Sequence, residues 1–384
     1  MQGNKYVGNF TFHPVGHGLF YTGLIKPLSG NDQFTFIYDC GGKTKKIINN
    51  AIEKDNLPEI VDMLIISHFH SDHIKGIVEL TKKHRIKKAI LPYLDDTQKI
   101  IYLASLAEEK ENKADLINFI LNPEYLLGDN TEIFYLTNNS DDIKDISGES
   151  VRPREFSEND FDFVWKNCRR LKTDTNKNLI CGNANYISTI WTFNFFMPKI
   201  DPNYNKMQNF FAKNKITINN AIKSWRLIAK QMKFLNLSNN ISNIVCAHGP
   251  IKPLNFVNYR SNKLSSYPGL SIYPHYLFYF DEQFGFQFLT GDAEIDNEND
   301  FQIRYKDYLY KTILFQIPHH GSKKNWHDWF SEYMPFCCLW PVTHNSDHKY
   351  RKGIFPSAKF SFTTQYSVTE DESTQLGLQM HFIN

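Results

Sequence analysis

Residues 66–76 read ISHFHSDHIKG, and His68, His70, Asp72 and His73 bring three imidazoles and a carboxylate into six consecutive positions. If the chain stays extended beyond Ile66, the His68 and His70 rings point to the same side and can share one ion. Asp72 and His73 then fall at the start of a helix, where the turn directs them toward a second ion. Two ions roughly 3.5–4 Å apart are the usual arrangement for hydrolysing phosphate esters. The spacing therefore predicts a centre for two divalent metal ions. A set of His and Asp donors without cysteine suits Zn²⁺ or Mn²⁺.

The elements around this string place it on a strand-to-helix connection. VDMLII at 61–66 is an apolar run of strand length, and IKGIVELTKKH carries apolar residues at helical spacing. Upstream, VGNFTFHPV, GLFYTGLI and FTFIYD read as strands separated by Gly, Pro and Asn-Asp turn signals. A further strand is expected near 88–95, after which TQKIIYLASLAEEKENKADLINFIL and residues 204–235 read helical around a polar stretch at 137–180. Strand signals return in NIVCAHGP, YLFYFDE, FGFQFLTGD and KTILFQIPHHG. The expected organisation is a first half at 1–95, a largely helical insertion at 96–240 and a second half at 241–384. Two such halves predict an α/β fold in which two sheets pack face to face with helices on both outer faces.

The string HFHSDH resembles the HxHxDH signature of the metallo-β-lactamase superfamily, which implies a four-layer αββα sandwich with a dinuclear site at the sheet edges. HPVGHGLF at 13–20, IYDCGG at 37–42, FLTGDAE at 288–294 and IPHHGSKKN at 317–325 resemble the VGQG, DxGG, TGD and PHHGS segments of its ComEC/Rec2-related branch. The resemblance covers roughly 180 residues in four blocks and leaves the insertion outside. It implies that Asp292 bridges both ions, and that His319 or His320 completes the shell of the first ion with His68 and His70. It implies a closing ligand for the second ion at His348 or His344, although PVTHNSDHKY departs from the NxYGHP-like segment usual there. Asp39 corresponds to an acidic residue that hydrogen-bonds the ligand sphere. His17 stands where the branch often has Gln and would line the pocket. Ser322 and Lys323 offer a backbone N–H and a cation to an anionic substrate. His248 lies where relatives outside the branch supply a ligand, and is weighed both as a ligand and as a structural strand-end residue. Catalytic work is expected of Asp72, Asp292 and His320.

Composition narrows the setting. The net charge of +2 is too small to indicate a polyanion partner by itself, and the basic runs TKKHRIKK at 81–88 and KNCRRLK at 166–172 read as solvated faces or as parts of a nucleic-acid track. The six cysteines form no CxxC pair and read as buried small hydrophobes in a reducing, cytoplasmic chain. No membrane segment or leader is expected. The resulting reading is a hydrolase in which a metal-bound hydroxide attacks a phosphodiester of DNA or RNA. The alternatives are a small-substrate phosphoesterase or other ester hydrolase, acting on a cyclic nucleotide, phosphocholine ester or lactone, and a metal-bound interaction module that docks a protein partner through the insertion.

Overall fold

A computed structural model describes residues 4–137, 149–150, 159–172, 177–181, 184–198, 201, 203–237, 242–252, 254–260, 285–295, 298–322, 339–344 and 364–383. In chain order the first elements are β1 (Lys5–Phe12), β2 (Phe20–Pro27), β3 (Phe34–Cys40), α1 (Lys45–Lys54), β4 (Ile60–Ile65), α2 (Ser71–Ile74), α3 (Ile77–Lys83) and β5 (Arg85–Pro92). There follow α4 (Asp96–Ser105), α5 (Lys113–Leu121), α6 (Glu124–Leu127), β6 (Glu132–Thr137), β7 (Glu149–Ser150), β8 (Val164–Lys166), β9 (Arg169–Lys172), β10 (Lys177–Cys181), β11 (Asn185–Ile187) and β12 (Trp191–Phe196). The remainder is α7 (Tyr204–Asn214), α8 (Trp225–Phe234), β13 (Val245–Pro250), β14 (Leu254–Arg260), β15 (Phe286–Leu289), α9 (Glu298–Leu309), β16 (Thr312–Phe315), β17 (Leu339–Thr343), β18 (Thr364–Val368) and β19 (Leu376–Ile383).

Two mixed sheets result. The larger runs β14-β19-β1-β2-β3-β4-β5-β6-β10-β9-β7 and the smaller β18-β17-β16-β15-β13-β12-β11-β8. The strands β3, β4, β5 and β6 pair in parallel, and β3 (FTFIYDC) is buried along its whole length because the sheet is covered on both faces. Between the sheets lies an aromatic core in which Phe10 meets Trp191 at 5.5 Å and Phe36 meets Phe193 edge-on at 4.9 Å between ring centroids. This is where the chain's excess of Phe goes. The outer face of the larger sheet, with Ile37, Leu64 and Ala89, packs against apolar residues of α1, α3, α4, α5, α7 and α8. On the outer face of the smaller sheet, Phe288 and Phe315 pack with Phe301 and Tyr305 of α9. The layers are thus helix, sheet, sheet, helix, as the αββα expectation has it.

The stretch 96–240 is more deeply woven into this architecture than a helical insertion. Its helices α4–α8 cover the larger sheet, but β6, β9 and β10 extend that sheet and β8, β11 and β12 extend the other. The runs EIFYLT and WTFNFF are short and rich in aromatic or β-branched residues, and burial on both faces makes strands of them. The halves also exchange strands. β19 pairs antiparallel with β1 from Lys5↔Ile383 to Phe12↔Leu376, so the end of the second half closes the sheet of the first. Among the described residues no helix is long and apolar enough to cross a membrane.

Candidate metal centre

Strand β4 carries the chain through the core to Ser67, where the backbone leaves the sheet and α2 begins at Ser71. Asp39, fully buried at the end of β3, fixes this exit. Its carboxylate accepts the Ser67 N–H at 2.6 Å and the Ser67 hydroxyl at 2.6 Å, and lies 2.7 Å from His73 Nδ1. Tied in this way, His73 turns its Nε2 toward Asp72 and Asp292. Close backbone approach completes the fit: a Cβ on Gly41 would stand 1.9 Å from the Asp72 carbonyl oxygen. Asp292 comes from the turn after β15. There Gly291 adopts φ +53, and a Cβ would meet Ser67 Cβ at 2.7 Å.

Two groups of ligand atoms converge. Asp72, His73, Asp292 and His320 form one, and His68, His70 and Asp292 the other, each with its donor atoms within 4.8 Å of one another. Asp292 belongs to both through different oxygens. Its Oδ1 lies 3.3 Å from His73 Nε2 and 3.4 Å from His320 Nε2, while Oδ2 lies 3.8 Å from His68 Nε2. His68 Nε2 and His70 Nδ1 are 3.1 Å apart, close enough to share one ion. His320 Nδ1 lies 3.0 Å from the Thr343 carbonyl, and its Nε2 faces Asp72 Oδ2 at 3.3 Å.

The donor set fits divalent cations. His73 Nε2 and Asp292 Oδ1 are buried without a hydrogen bond, a costly state for two polar atoms that a cation between them would relieve. Electrostatics agree. Burial works against the charge of Asp292, but the His320, His73 and His68 imidazoles outweigh it and hold the carboxyl well below the usual carboxylate range. Asp72 is likewise lowered, against burial, chiefly by His73 and its contact with His320. Burial, followed by the neighbouring His73, pushes His68 well below its ordinary value and keeps it a neutral ligand. For His73, burial is overcome by Asp292, Asp72 and Asp39, which raise its pKa strongly. The same carboxylates would attract a metal cation in the proton's place.

His17, from the β1–β2 connection, stands at the rim. Its ring centroid is 3.9 Å from that of His320, its Nε2 is 3.4 Å from Asp72 Oδ2, and 42% of its side chain is exposed. Burial, and then the nearby His320, lowers its pKa to about 4, so it is neutral near pH 7.

Two expectations are corrected. His320 joins Asp72 and His73 rather than His68 and His70, because Pro318 and the left-handed backbone at His319 and His320 turn the two rings to different sides. His320 therefore stands on the side of the second ion, where a closing ligand at His344 or His348 was expected. The His344 side chain, buried at the end of β17, belongs to neither group, and its backbone N–H donates to the Val368 carbonyl. His319 is 36% exposed, with Nε2 3.9 Å from Asp292 Oδ2, outside both groups. His248, weighed as a ligand or as a structural strand-end residue, takes the structural place: it sits between the sheets among Phe10, Phe36, Trp191 and Phe193, 3.1 Å from the Tyr21 hydroxyl. Ser322 follows His319–Gly321 with its N–H on the His319 carbonyl. His348 and Lys323 lie outside the described residues. Sequence reasoning missed Ser67, Thr343 and Tyr102, whose ring packs edge-on against His70 at 5.3 Å. A hydroxyl residue directly beside a ligand or strand end was the available signal for the first two.

The family model described as Metallo-beta-lactamase superfamily matches residues 21–135, which include Asp39, His68, His70, Asp72 and His73. Residues 21–135 are thus similar to a metallo-β-lactamase superfamily domain, and members of that superfamily are typically metal-dependent hydrolases. No curated protein matches the chain. Among solved structures it is similar to the metallo-β-lactamase fold protein YhfI from Bacillus subtilis, at 11% identity over 94% of this chain and 97% of that one, with a TM-score of 0.35. It is also similar to the archaeal superfamily protein ST1585 from Sulfolobus tokodaii, at 16% identity over 41% and 53%, with a TM-score of 0.21. Unliganded yeast PDE1 matches at 8% identity over 98% and 99%, with a TM-score of 0.38.

Proposed function

We propose that the chain is a dinuclear metal-dependent phosphodiesterase that cuts DNA or RNA. The observation that carries this reading is the Asp292 carboxylate, whose two oxygens face two separate His-rich ligand groups. Two divalent cations, Zn²⁺ or Mn²⁺, supply an activated water and neutralise charge on the attacked phosphate when bound there. His68 and His70 would hold one, Asp72, His73 and His320 the other, with an Asp292 oxygen facing each group. Asp39 and Thr343 set the orientations of His73 and His320 from behind. His17, neutral and partly exposed, borders the place where a substrate oxygen must enter and can accept or return a proton. His319, also partly exposed, lies on the Oδ2 side of Asp292 and offers a donor to a phosphate oxygen. The motif order HPVGHGLF, IYDCGG, FLTGDAE, IPHHGSKKN supports the ComEC/Rec2-related branch and with it a phosphodiester substrate.

The test is incubation of the purified chain with Mn²⁺ or Zn²⁺ and end-labelled single- and double-stranded DNA and RNA, beside Asp292→Ala. Cleavage by the native chain and its loss in the variant are expected. A chain that binds metal and cuts none of these would sink the nuclease reading, and equal cleavage by the variant would trace the activity to a contaminant.

A further inference from the structure

The two helices packed over α4 carry a charge distribution unlike the rest of the molecule. Between residues 202 and 237 the chain has Lys206, Lys213, Lys215, Lys223, Arg226, Lys230 and Lys233, and no Asp or Glu. All seven cations are exposed. Setting them aside leaves 36 basic residues against 41 acidic ones, so the remainder of the chain is net negative and the cationic excess is concentrated here. Elsewhere several lysines are paired, Lys43 with Glu370, Lys83 with Glu53 and Glu79, Lys87 with Asp62 and Lys177 with Glu124. None of the seven forms an ion pair among the described residues.

Their spacing is that of a track. Lys223, Arg226, Lys230 and Lys233 follow one another by three, four and three positions, which lines them along one side of α8 and the turn before it. At about 1.5 Å per residue the stripe spans roughly 15 Å. Successive phosphates of one duplex strand advance by about 3.4 Å, so a stripe of that length faces several of them at once. The opposite side of α8 buries Ile228 and Met232 in the core that also holds α4 residues Ile100 and Ile101. The cationic side is therefore what the helix shows to solvent. From the same α4, Tyr102 packs against His70, so the stripe and the metal centre lie on two sides of one helix.

We infer that the outward face of α7 and α8 is a docking track for the phosphate backbone of a nucleic acid reaching toward the metal centre. The inference rests on the phosphodiester reading above and names the surface that would hold the polymer outside the reacting bond. Phe234, 81% exposed at the end of α8, offers a ring on which a base can stack beside the cations. An anionic lipid surface fits less well, because a helix lying in a bilayer interface needs a broad free apolar face and that of α8 is spent on the core.

The experiment compares the native chain with K223Q/R226Q/K230Q/K233Q, which removes four exposed side chains and should leave the melting temperature unchanged. Binding of fluorescent single-stranded and duplex oligonucleotides is followed by anisotropy in chelator, so that binding is read without cleavage. The variant should bind at least about tenfold more weakly near physiological salt, and the slope of log affinity against log salt should shrink by about 3. Substitution of the paired Lys83 and Lys87 should change neither. Equal affinity and slope in the variant would overturn the inference, as would sedimentation with phosphatidylserine vesicles in place of oligonucleotide affinity. If the native chain cleaves polynucleotide and the variant binds it equally well, the track fails and the hydrolase reading stands. If the variant loses oligonucleotide binding and the native chain cuts no nucleic acid, the track stands and the nuclease reading fails.

Discussion

Burial of His248 as a neutral imidazole should make the fold sensitive to mild acid, in a manner that one substitution removes. The ring has no exposed surface; its Nε2 lies 3.1 Å from the Tyr21 hydroxyl, and Nδ1 is buried without a hydrogen bond. Because Tyr21 donates its proton to Gln287 Oε1 at 2.8 Å, His248 must donate through Nε2, leaving Nδ1 bare among aromatic rings. Protonating Nδ1 would bury an unpaired charge, and burial accordingly lowers the pKa to about 3. In the unfolded chain the value returns to about 6.5. Below that pH the unfolded state takes up a proton that the folded state refuses, so stability is unaffected above about pH 6.5 and falls by about 1.4 kcal/mol per pH unit down to about pH 3. Between pH 7 and pH 5 this residue alone should cost about 2 kcal/mol. Equilibrium urea unfolding of the chelator-treated chain at both pH values, beside His248→Gln, isolates the effect, since every other titrating group is common to both chains. The native chain should lose about 2 kcal/mol more than the variant over that interval. Losses that agree within about 0.5 kcal/mol, the usual error of such differences, would refute the reasoning and mean that the protonated ring finds a partner or reaches water.

Two further outcomes follow from the metal centre. Asp39→Asn removes the carboxylate that holds His73 Nδ1 and the Ser67 backbone, and should weaken metal binding about 10- to 100-fold in competition with a chromophoric chelator; unchanged affinity would mean that packing alone orients the ring. His320→Ala deletes one ligand of the Asp72–His73 group and none of the His68–His70 group, so elemental analysis after dialysis should find one of two metal equivalents lost, whereas loss of both or neither would contradict the division into two groups.

The first half of the centre was readable in the sequence because its residues are neighbours. Within HFHSDH the strand period places His68 with His70, and the helix start places Asp72 with His73, as the structure has them. The second half depends on where distant strand ends meet. Nothing local in PHHGS distinguishes a ring aimed at His68 from one aimed at Asp72; that choice is made by the bend at Pro318 and by Thr343, which reaches His320 from β17. The same distance dependence hid the strands inside 96–240. A run of six residues such as WTFNFF becomes a strand because β11 and β13 flank it. His248 stayed open in the sequence for a related reason: VCAHGP has the form of a strand end that could bear a ligand, and only the course of β13 through Pro250 puts the imidazole in the layer between the sheets.

Backbone conformation supplies a mark of the centre that residue types alone do not. Seven residues other than glycine have a left-handed backbone among those described, and three of them, Asn112, Asn167 and Asn236, are asparagines, which tolerate it readily. A fourth, Lys215, caps the C-terminus of α7, where that conformation is common. The remaining three are Asp39, His319 and His320, and all of them touch the ligand cluster. A side chain in this region costs on the order of 1–3 kcal/mol, which a glycine would avoid. Glycine has neither a carboxylate to tie His73 nor an imidazole to meet Asp292. The strain is therefore concentrated where the side chain is needed for chemistry, and the packed sheets on either side supply the stability that offsets it.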